Sequence, residues 1–225
     1  MKPAALPCVH IFDVDRTVIR RTSAEYFLRI ALKEKYIRFS QVSGLLADLV
    51  KYKLSLLNTD FIENTVKKLS GLKEEDVNRI SLSCFEKKIK PNIFSDAAAL
   101  ISGLINKGHE VIFATSSFDF IIKPLEDFFS VKGSLASRLE FKNGVTTGRL
   151  NGDSLFGQKK RQAAAEWINQ RGIMARDVYF YSDSYTDLPL LEYCGHPAAV
   201  NPDRVLKRTA LKNGWDIFQF KKTLG

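Results

Sequence analysis

Residues 8–17 decide the fold class, and they read CVHIFDVDRT. The apolar run stops at Asp13-Val14-Asp15, a pattern that predicts a buried parallel strand with functional groups at its carboxyl end. Two later apolar runs also end in polar clusters, one at Thr115-Ser116-Ser117 and the other at Ser182-Asp183, with Asp187 close behind. Because parallel α/β sheets bind ligands at the carboxyl ends of their strands, the three clusters are predicted to form one site.

The periodicity of the chain changes near residue 91. From residue 95 onward, short apolar runs alternate with amphipathic stretches, which predicts an α/β fold with a parallel sheet and helices on both faces. The predicted strands are residues 110–114, 134–141, 145–150, 177–181, 198–200 and 217–220, with a hairpin turn at Asn143-Gly144. The predicted helices are residues 95–107, 119–129, 158–171, 188–193 and 203–212, the first of them capped by Ser95.

Residues 20–90 show almost no strand character. Their apolar spacing predicts four helices in succession: 24–36 after a cap at Ser23, then 41–57, 60–69 and 73–90. Such a run resembles an inserted helical bundle. The predicted domains are therefore a core made of residues 1–19 and 91–225, and a helical insertion made of residues 20–90.

Composition excludes several classes of protein. The chain has 225 residues, of which 45% are hydrophobic and 26% charged, as in ordinary globular proteins. Its three cysteines and three histidines are scattered, which favours neither a disulfide framework nor a zinc site and predicts a reducing, cytoplasmic location. No apolar stretch approaches the ~20 residues of a transmembrane helix, so no membrane span is predicted.

The charge of the chain is unevenly distributed. The formal net charge is +9, and residues 20–90 hold 15 Lys and Arg against 9 Asp and Glu. A positively charged insertion above a site would attract a small phosphate ester, although a solvated basic surface is an equally ordinary explanation. Nucleic acid is an unlikely partner because no recognition motif accompanies the charge. The sequence does not predict an oligomeric state.

The strand-end clusters suit phosphoryl-transfer chemistry. Several carboxylates without His or Cys favour a hard cation, and Mg²⁺ is the natural choice. One Asp could act as a nucleophile and another as a proton donor and acceptor, while a Lys and small hydroxyl groups face the phosphate oxygens. The structural alternative is that Asp, Ser and Thr at strand ends serve as helix caps and turn formers.

Four motifs resemble those of the haloacid dehalogenase superfamily of aspartate-nucleophile phosphohydrolases. Asp13-Val14-Asp15-Arg16-Thr17 is similar to its first motif, Phe113-Ala114-Thr115 to its second and Gly157-Gln158-Lys159-Lys160 to its third. The fourth and most specific match is the segment YSDSYTDLPLL, residues 181–191. The chain looks most like subfamily IB, the phosphoserine-phosphatase-like group, whose Rossmann-like core carries a helical C1-type cap. Residues 20–90 would be that cap.

The resemblance implies a role for each site residue. Asp13 would be the nucleophile and a Mg²⁺ ligand, and Asp15 the general acid and base with its backbone carbonyl on the metal. Asp183 would ligate Mg²⁺, and Asp187 would ligate it directly or through water, or orient Lys160. Thr115 would hydrogen-bond the phosphoryl group and Lys160 would neutralise its charge. Lys159 is the neighbouring rival for the site lysine, and Ser116 and Arg16 are further candidates for substrate binding.

The implied function is a Mg²⁺-dependent phosphomonoester hydrolase that acts on a small phosphorylated metabolite through an aspartyl-phosphate. A phosphoserine phosphatase in particular, a phosphotransferase, and a non-catalytic member that binds a phosphorylated ligand or a partner remain alternatives. The chain also departs from the family pattern. Arg16 stands where many relatives have Gly, Ser116-Ser117 replaces a Gly-Gly pair, and no substrate role is assigned to Glu25.

Overall fold

The computed structural model describes residues 8–36 and 60–225. The strands are β1 (Val9–Phe12), β2 (Glu110–Phe118), β3 (Ser134–Ser137), β4 (Leu139–Lys142), β5 (Val145–Leu150), β6 (Val178–Ser182), β7 (His196–Val200) and β8 (Asp216–Phe218). The helices are α1 (Ser23–Lys33), α2 (Asp60–Lys67), α3 (Glu74–Cys84), α4 (Ser95–Asn106), α5 (Asp119–Phe129), α6 (Gln158–Gln170), α7 (Leu188–Leu191) and α8 (Arg204–Asn213).

Six strands form one parallel sheet in the order β3-β2-β1-β6-β7-β8. The first strand of the chain lies inside the sheet, between β2 and β6, with Ile11 paired to Ile112 on one side and to Phe180 on the other. The predicted α/β fold class is confirmed. Because all neighbours run parallel, the polar ends of β1, β2 and β6 meet at one edge.

The two faces of the sheet bury separate apolar clusters. Successive β1 side chains point to opposite faces, so Phe12 joins one cluster and Ile11 the other. The Phe12 cluster packs against α1, α3, α4 and α5, and the Ile11 cluster packs against α6, α7 and α8. This two-sided covering explains why β1 reads as a continuous apolar run rather than an alternating one.

The described helices of residues 20–90, predicted to be an insertion, belong to the same apolar cluster as α4 and α5. Phe27 on α1 contacts Phe120 on α5, with ring centroids 5.2 Å apart. The cluster also includes Val77 and Ile80 of α3. The predicted helix 41–57 lies outside the described residues. Among those that are described, no helix is long and apolar enough to cross a membrane.

Several predicted element boundaries are wrong. The predicted strand 134–141 is two strands, since β3 pairs in parallel with β2 whereas β4 pairs antiparallel with β5. The strand predicted at 110–114 continues to Phe118, so the second polar cluster lies inside β2. The predicted helix 73–90 ends at Cys84 and continues as a π-helical turn, Phe85–Ile89. Ser23 and Ser95 are the first residues of α1 and α4 rather than their caps.

Candidate active site

A small cavity of about 40 Å³ lies at the carboxyl edge of the sheet. It brings together most of the polar residues that the sequence singles out. The lining includes Asp13, Asp15, Arg16, Ser116, Lys160, Asp183 and Asp187. The size of the cavity suits a small polar group rather than a whole metabolite.

Asp13 follows β1 directly and is buried. Its backbone N–H donates to the carbonyl oxygen of Tyr181 at 2.9 Å, which continues the pairing of β1 with β6. Its carboxylate accepts two hydrogen bonds, one at Oδ1 from Lys160 Nζ at 2.9 Å and a longer one at Oδ2 from the Thr17 hydroxyl at 3.3 Å. Both the backbone and the carboxylate of Asp13 are therefore fixed.

Lys160 lies in the first turn of α6 and is almost completely buried, with 3% of its surface exposed. Its Nζ donates to Asp13 Oδ1 at 2.9 Å and to Asp187 Oδ2 at 2.8 Å. Lys159, by contrast, is exposed and pairs with Asp153 at 2.8 Å. The structure thus brings Lys160, and not Lys159, into contact with the two aspartates.

The two acids of the fourth motif, Asp183 and Asp187, have different partners. Asp187 Oδ2 accepts a second hydrogen bond from the Ser182 hydroxyl at 2.7 Å. Asp183 is buried, and Arg16 Nη1 lies 4.0 Å from its Oδ2. Of the roles open to Asp187, the observed geometry matches the orientation of Lys160.

The start of α1 holds Asp15. Its Oδ1 accepts a hydrogen bond from the backbone N–H of Ser23, the first residue of α1, at 2.8 Å. A helix N-terminus favours a negative charge at this position. The Ser23 and Ser117 hydroxyls also share a hydrogen bond of 2.6 Å, which joins α1 to β2.

Burial and mutual repulsion dominate the electrostatics of the site. The pKa of Asp13 is raised to about 7, chiefly by burial and also by the carboxylates of Asp187 and Asp15, against the opposing effect of Lys160. Burial, reinforced by Asp13, holds the pKa of Asp183 well above its usual range. Burial also raises the pKa of Asp15, although the hydrogen bonds from Ser23 oppose it.

Lys160 keeps its charge in this environment. Burial alone would lower the pKa of its ammonium group, but the carboxylates of Asp13 and Asp187 outweigh burial and hold the pKa above its usual range. The site therefore holds a permanent buried cation between two acids.

The acids of the site fit a divalent cation only in part. Within residues 8–36 and 60–225, no three Asp, Glu, His or Cys side chains are grouped so that they could hold a metal ion by themselves. Asp13 nevertheless lies close enough to Asp183 to raise the pKa of Asp183, in addition to the larger effect of burial, so a bound cation would stabilise both carboxylates. Mg²⁺ is commonly held by one or two carboxylates together with substrate phosphate and water, so these two acids fit it.

The hydroxyl groups of the second motif differ in whether they face the cavity. Ser116 lines the cavity, whereas Thr115 is fully buried and its Oγ1 accepts a hydrogen bond from the Ser117 N–H at 3.1 Å. Thr115 is absent from the described lining of the cavity, so its contact with a phosphoryl group stays a prediction. Arg16 lines the cavity with a left-handed backbone, φ 64°, which explains why glycine suits this position.

Sequence reasoning missed four residues of the lining, namely Thr22, Phe156, Ser184 and Thr186. Ser184 and Thr186 lie inside the fourth motif, so its spacing could have indicated them. Thr22 could have been found from its place directly before α1. Nothing local to Phe156 indicates that it reaches the site.

A model of the haloacid dehalogenase-like hydrolases matches residues 11–192 of the chain. The chain therefore belongs to this family, and it is an enzyme of the phosphatase type. The predicted likeness to the phosphoserine-phosphatase-like members is confirmed.

Two of the similar proteins are named as phosphatases. A probable phosphatase of Mycobacterium tuberculosis is 29% identical over 94% of this chain and 75% of its own length. A histidinol-phosphatase of Neisseria meningitidis is 27% identical over 94% of this chain and 98% of its own length. The solved structure of a substrate-bound phosphoserine phosphatase shares the fold, with a TM-score of 0.70 at 22% identity over 97% of this chain and 95% of that one.

Proposed function

We propose that the protein is a Mg²⁺-dependent phosphomonoester hydrolase that forms an aspartyl-phosphate on Asp13. The observation that carries this proposal is the buried Lys160, whose ammonium group joins Asp13 Oδ1 and Asp187 Oδ2 at 2.9 and 2.8 Å. A buried cation beside a buried carboxylate at a strand end fits a centre that receives a phosphoryl group.

In the first step, a carboxylate oxygen of Asp13 attacks the phosphorus atom of the ester. The bond between phosphorus and the leaving oxygen breaks, and the Asp15 carboxyl gives its proton to that oxygen, which departs as an alcohol. The raised pKa of Asp15 supports this role, because a proton must be on Asp15 when the step begins.

In the second step, the Asp15 carboxylate takes a proton from water while the water oxygen attacks phosphorus. The bond between phosphorus and Asp13 breaks, inorganic phosphate leaves and the Asp13 carboxylate is restored. Both aspartates thus return to their starting states. A phosphotransferase would differ only in using another hydroxyl in place of water.

The carboxylates of Asp13 and Asp183 and the backbone carbonyl of Asp15 would hold Mg²⁺, with Asp187 acting through water or through Lys160. When bound, the metal supplies positive charge to the phosphate oxygens. Lys160 neutralises charge on the same oxygens, while Ser116, Thr115 and Arg16 contact the substrate.

The proposed substrate is a small phosphate ester. The similar proteins named above are described by different substrates, histidinol phosphate in one case and phosphoserine in another. Phosphoserine is therefore the second candidate rather than the conclusion. We also propose that residues 20–90 form a cap over a core of residues 1–19 and 91–225, and that the protein works in the cytoplasm.

The direct test is hydrolysis of an aryl phosphate with Mg²⁺ and with the metal removed by EDTA. We expect turnover with Mg²⁺ only, and its loss in Asp13→Asn. Asp177→Asn, which changes an exposed acid, is the matched control and should keep full activity. Turnover that persists in EDTA, or in Asp13→Asn, would overturn the proposal.

The covalent step has its own test. Acid quenching during turnover, followed by mass spectrometry of peptides, should find one phosphoryl group on the peptide that contains Asp13. A phosphoryl group on another peptide, or none under conditions where the protein turns over, would contradict the aspartyl-phosphate route.

A further inference from the structure

A second and larger cavity, of about 430 Å³, lies beside the candidate active site. It is formed by the end of α2, the end of β5, the loop at Gly152-Asp153-Ser154 and the start of α6. Its volume is within the range of small-molecule sites. No part of the proposed hydrolysis uses this cavity.

The walls of this cavity carry an excess of positive charge. Lys67, Arg149 and Lys159 line it, against the single carboxylate of Asp153. In the part of the chain that the structure describes, the side chains of Lys67 and Arg149 make no ion pair. A cavity of equal volume between α3 and α5 is different, because its acids Glu74, Asp119 and Glu126 offset its bases Lys123 and Arg138. Of these two cavities, only the first carries an excess of positive charge.

Two further groups could serve a ligand there. The Lys159–Asp153 pair is exposed on both sides, at 52% and 65%, so it holds Lys159 only weakly. The hydroxyl oxygen of Ser154 is buried and makes no hydrogen bond. A buried hydroxyl without a partner is costly, and a ligand oxygen in the cavity could become its partner if the side chain turned.

The segment between Asp153 and Lys160 separates the two cavities. Ser154 and Lys159 line the larger one, whereas Phe156 and Lys160 line the catalytic one. Consecutive residues on α6 thus face different cavities, as their offset of roughly 100° on a helix requires.

We propose that this larger cavity binds a small molecule bearing phosphate or carboxylate oxygens, at a site separate from the one where the phosphoryl group reacts. Lys67 and Arg149 provide positive charge for the ligand. Lys159 leaves its ion pair with Asp153 and binds the ligand instead, and the Ser154 hydroxyl forms a hydrogen bond with a ligand oxygen. Arg and Lys are the usual partners of such oxyanions.

The test is an NMR titration of the Mg²⁺-saturated protein with two probes, phenylphosphonate and phthalate. The backbone amides of Gly148, Gly152 and Ser154 should shift saturably with at least one of them, and the tighter probe tells phosphate from carboxylate. In Lys67→Gln/Arg149→Gln the Kd for that probe should rise at least tenfold, and Arg149→Glu alone should weaken binding more than Arg149→Gln.

The control is Lys207→Gln/Arg208→Gln, which removes the same charge from exposed positions on α8. It should leave the Kd within twofold, and both double variants should hydrolyse aryl phosphate like the native protein. Absence of saturable shifts with either probe, or equal Kd values in the two double variants, would overturn the proposal. If the native protein does not hydrolyse aryl phosphate at all, that result counts against the proposed catalytic function and not against the second site.

Discussion

At the scale of single residues, Lys160 is the buried positive charge that holds two acids of the site. Of the neighbouring lysines Lys159 and Lys160, only Lys160 is buried. Its two carboxylate partners belong to other parts of the chain, the residue after β1 and the turn after β6. The sequence places two lysines side by side, and a shift of one residue in the start of α6 would exchange them. The helix register observed here selects Lys160.

Replacing each lysine by methionine separates their roles. Lys160→Met should lower kcat/KM for an aryl phosphate by about 10²–10³-fold, the usual effect of removing one charge-stabilising donor. Lys159→Met should remain within about twofold, because its pairing with Asp153 is exposed. Thermal unfolding of both variants shows whether they fold. Similar activity in the two variants would contradict the assignment of Lys160.

The acids of the site were predictable from the sequence because Asp13 and Asp183 directly follow β1 and β6, and Asp187 lies four residues after Asp183. Recognising an apolar run and the polar residues after its end was enough to find all three. The hydrogen-bond partners of these acids were harder to predict. Ser182, whose hydroxyl donates to Asp187, is one of several small polar residues in the motif. Phe156 reaches the cavity only through folding of the chain, so no local pattern indicates it.

At the scale of elements, the first turn of α1 positions Asp15 by its backbone. Proline is tolerated at the first position of a helix, and the extended backbone of Thr22, with φ −78° and ψ 135°, suits a following proline. Ser23→Pro should therefore keep the helix but remove the N–H that holds Asp15 Oδ1.

We expect kcat of Ser23→Pro to fall about tenfold or more, as the proton donor loses its position. Ser23→Ala keeps the N–H and loses the hydroxyl, which bonds Ser117 and also interacts with Asp15, so its kcat should fall less than that of Ser23→Pro, which loses both groups. Steady-state kinetics on one aryl phosphate compare the two. An equal loss of kcat would mean that the hydroxyl, and not the N–H, is responsible.

A stack of aromatic rings crosses β1, β6 and β7 at their middle and amino ends. His10 lies against Tyr179 at 4.4 Å between centroids, and Tyr179 lies against His196 at 4.1 Å. His109 meets His10 edge-on at 5.1 Å, and His10 Nδ1 is 3.1 Å from the Tyr181 hydroxyl. Burial, with His109 and His196 adding to it, lowers the pKa of His10 from 6.5 to about 4.

This shift should make the fold sensitive to mild acid. Below about pH 6.5, His10 is protonated in the unfolded chain, but in the folded chain it stays neutral down to about pH 4. The free energy of unfolding therefore falls as the pH is lowered across that interval. Between about pH 7.5 and pH 5 the native protein should lose about 2 kcal/mol more than His10→Phe. Urea unfolding at both pH values measures this difference, and parallel losses in the two proteins would refute it.

The pairing of the strands is the part of the fold that could not be predicted from the sequence at this scale. The alternation over residues 134–141 predicts strand structure correctly, but it contains no sign that the chain changes partner at Arg138. The break appears only in three dimensions, where β4 turns away from the parallel sheet to pair with β5. Helix boundaries also shifted, since the predicted helix 73–90 ends at Cys84 and the predicted caps Ser23 and Ser95 are the first helical residues.

At the scale of the whole molecule, the segment after α2 is joined to the hairpin of β4 and β5. The backbone N–H of Gly71 donates to the Thr146 carbonyl at 2.9 Å, and Thr146 donates back to the Leu72 carbonyl at 2.9 Å. Gly148 approaches Ser70 so closely that an added Cβ would lie 2.8 Å from the Ser70 Cβ. The contact needs a residue without a side chain.

Alanine at two glycines tests this contact. Both Gly148 and Gly152 have left-handed backbones, at φ 73° and 92°, but only Gly148 is crowded. Gly152→Ala should lower the free energy of unfolding by about 1–2 kcal/mol through backbone strain. Gly148→Ala should lower it by about 1–3 kcal/mol more, because its neighbours must shift. Urea unfolding compares them, and equal losses would show that the close approach has no energetic weight.

The position of β1 inside the sheet has a consequence for biosynthesis. Its two neighbours, β2 and β6, lie about 100 and 170 residues later in the chain. At roughly 5–20 residues per second, the ribosome needs roughly 9–35 s to deliver the second neighbour after the first strand. Until then Val9, Ile11 and Phe12 lack at least one of the two strands that bury them, so the nascent chain presents an apolar segment to chaperones before the catalytic edge can form.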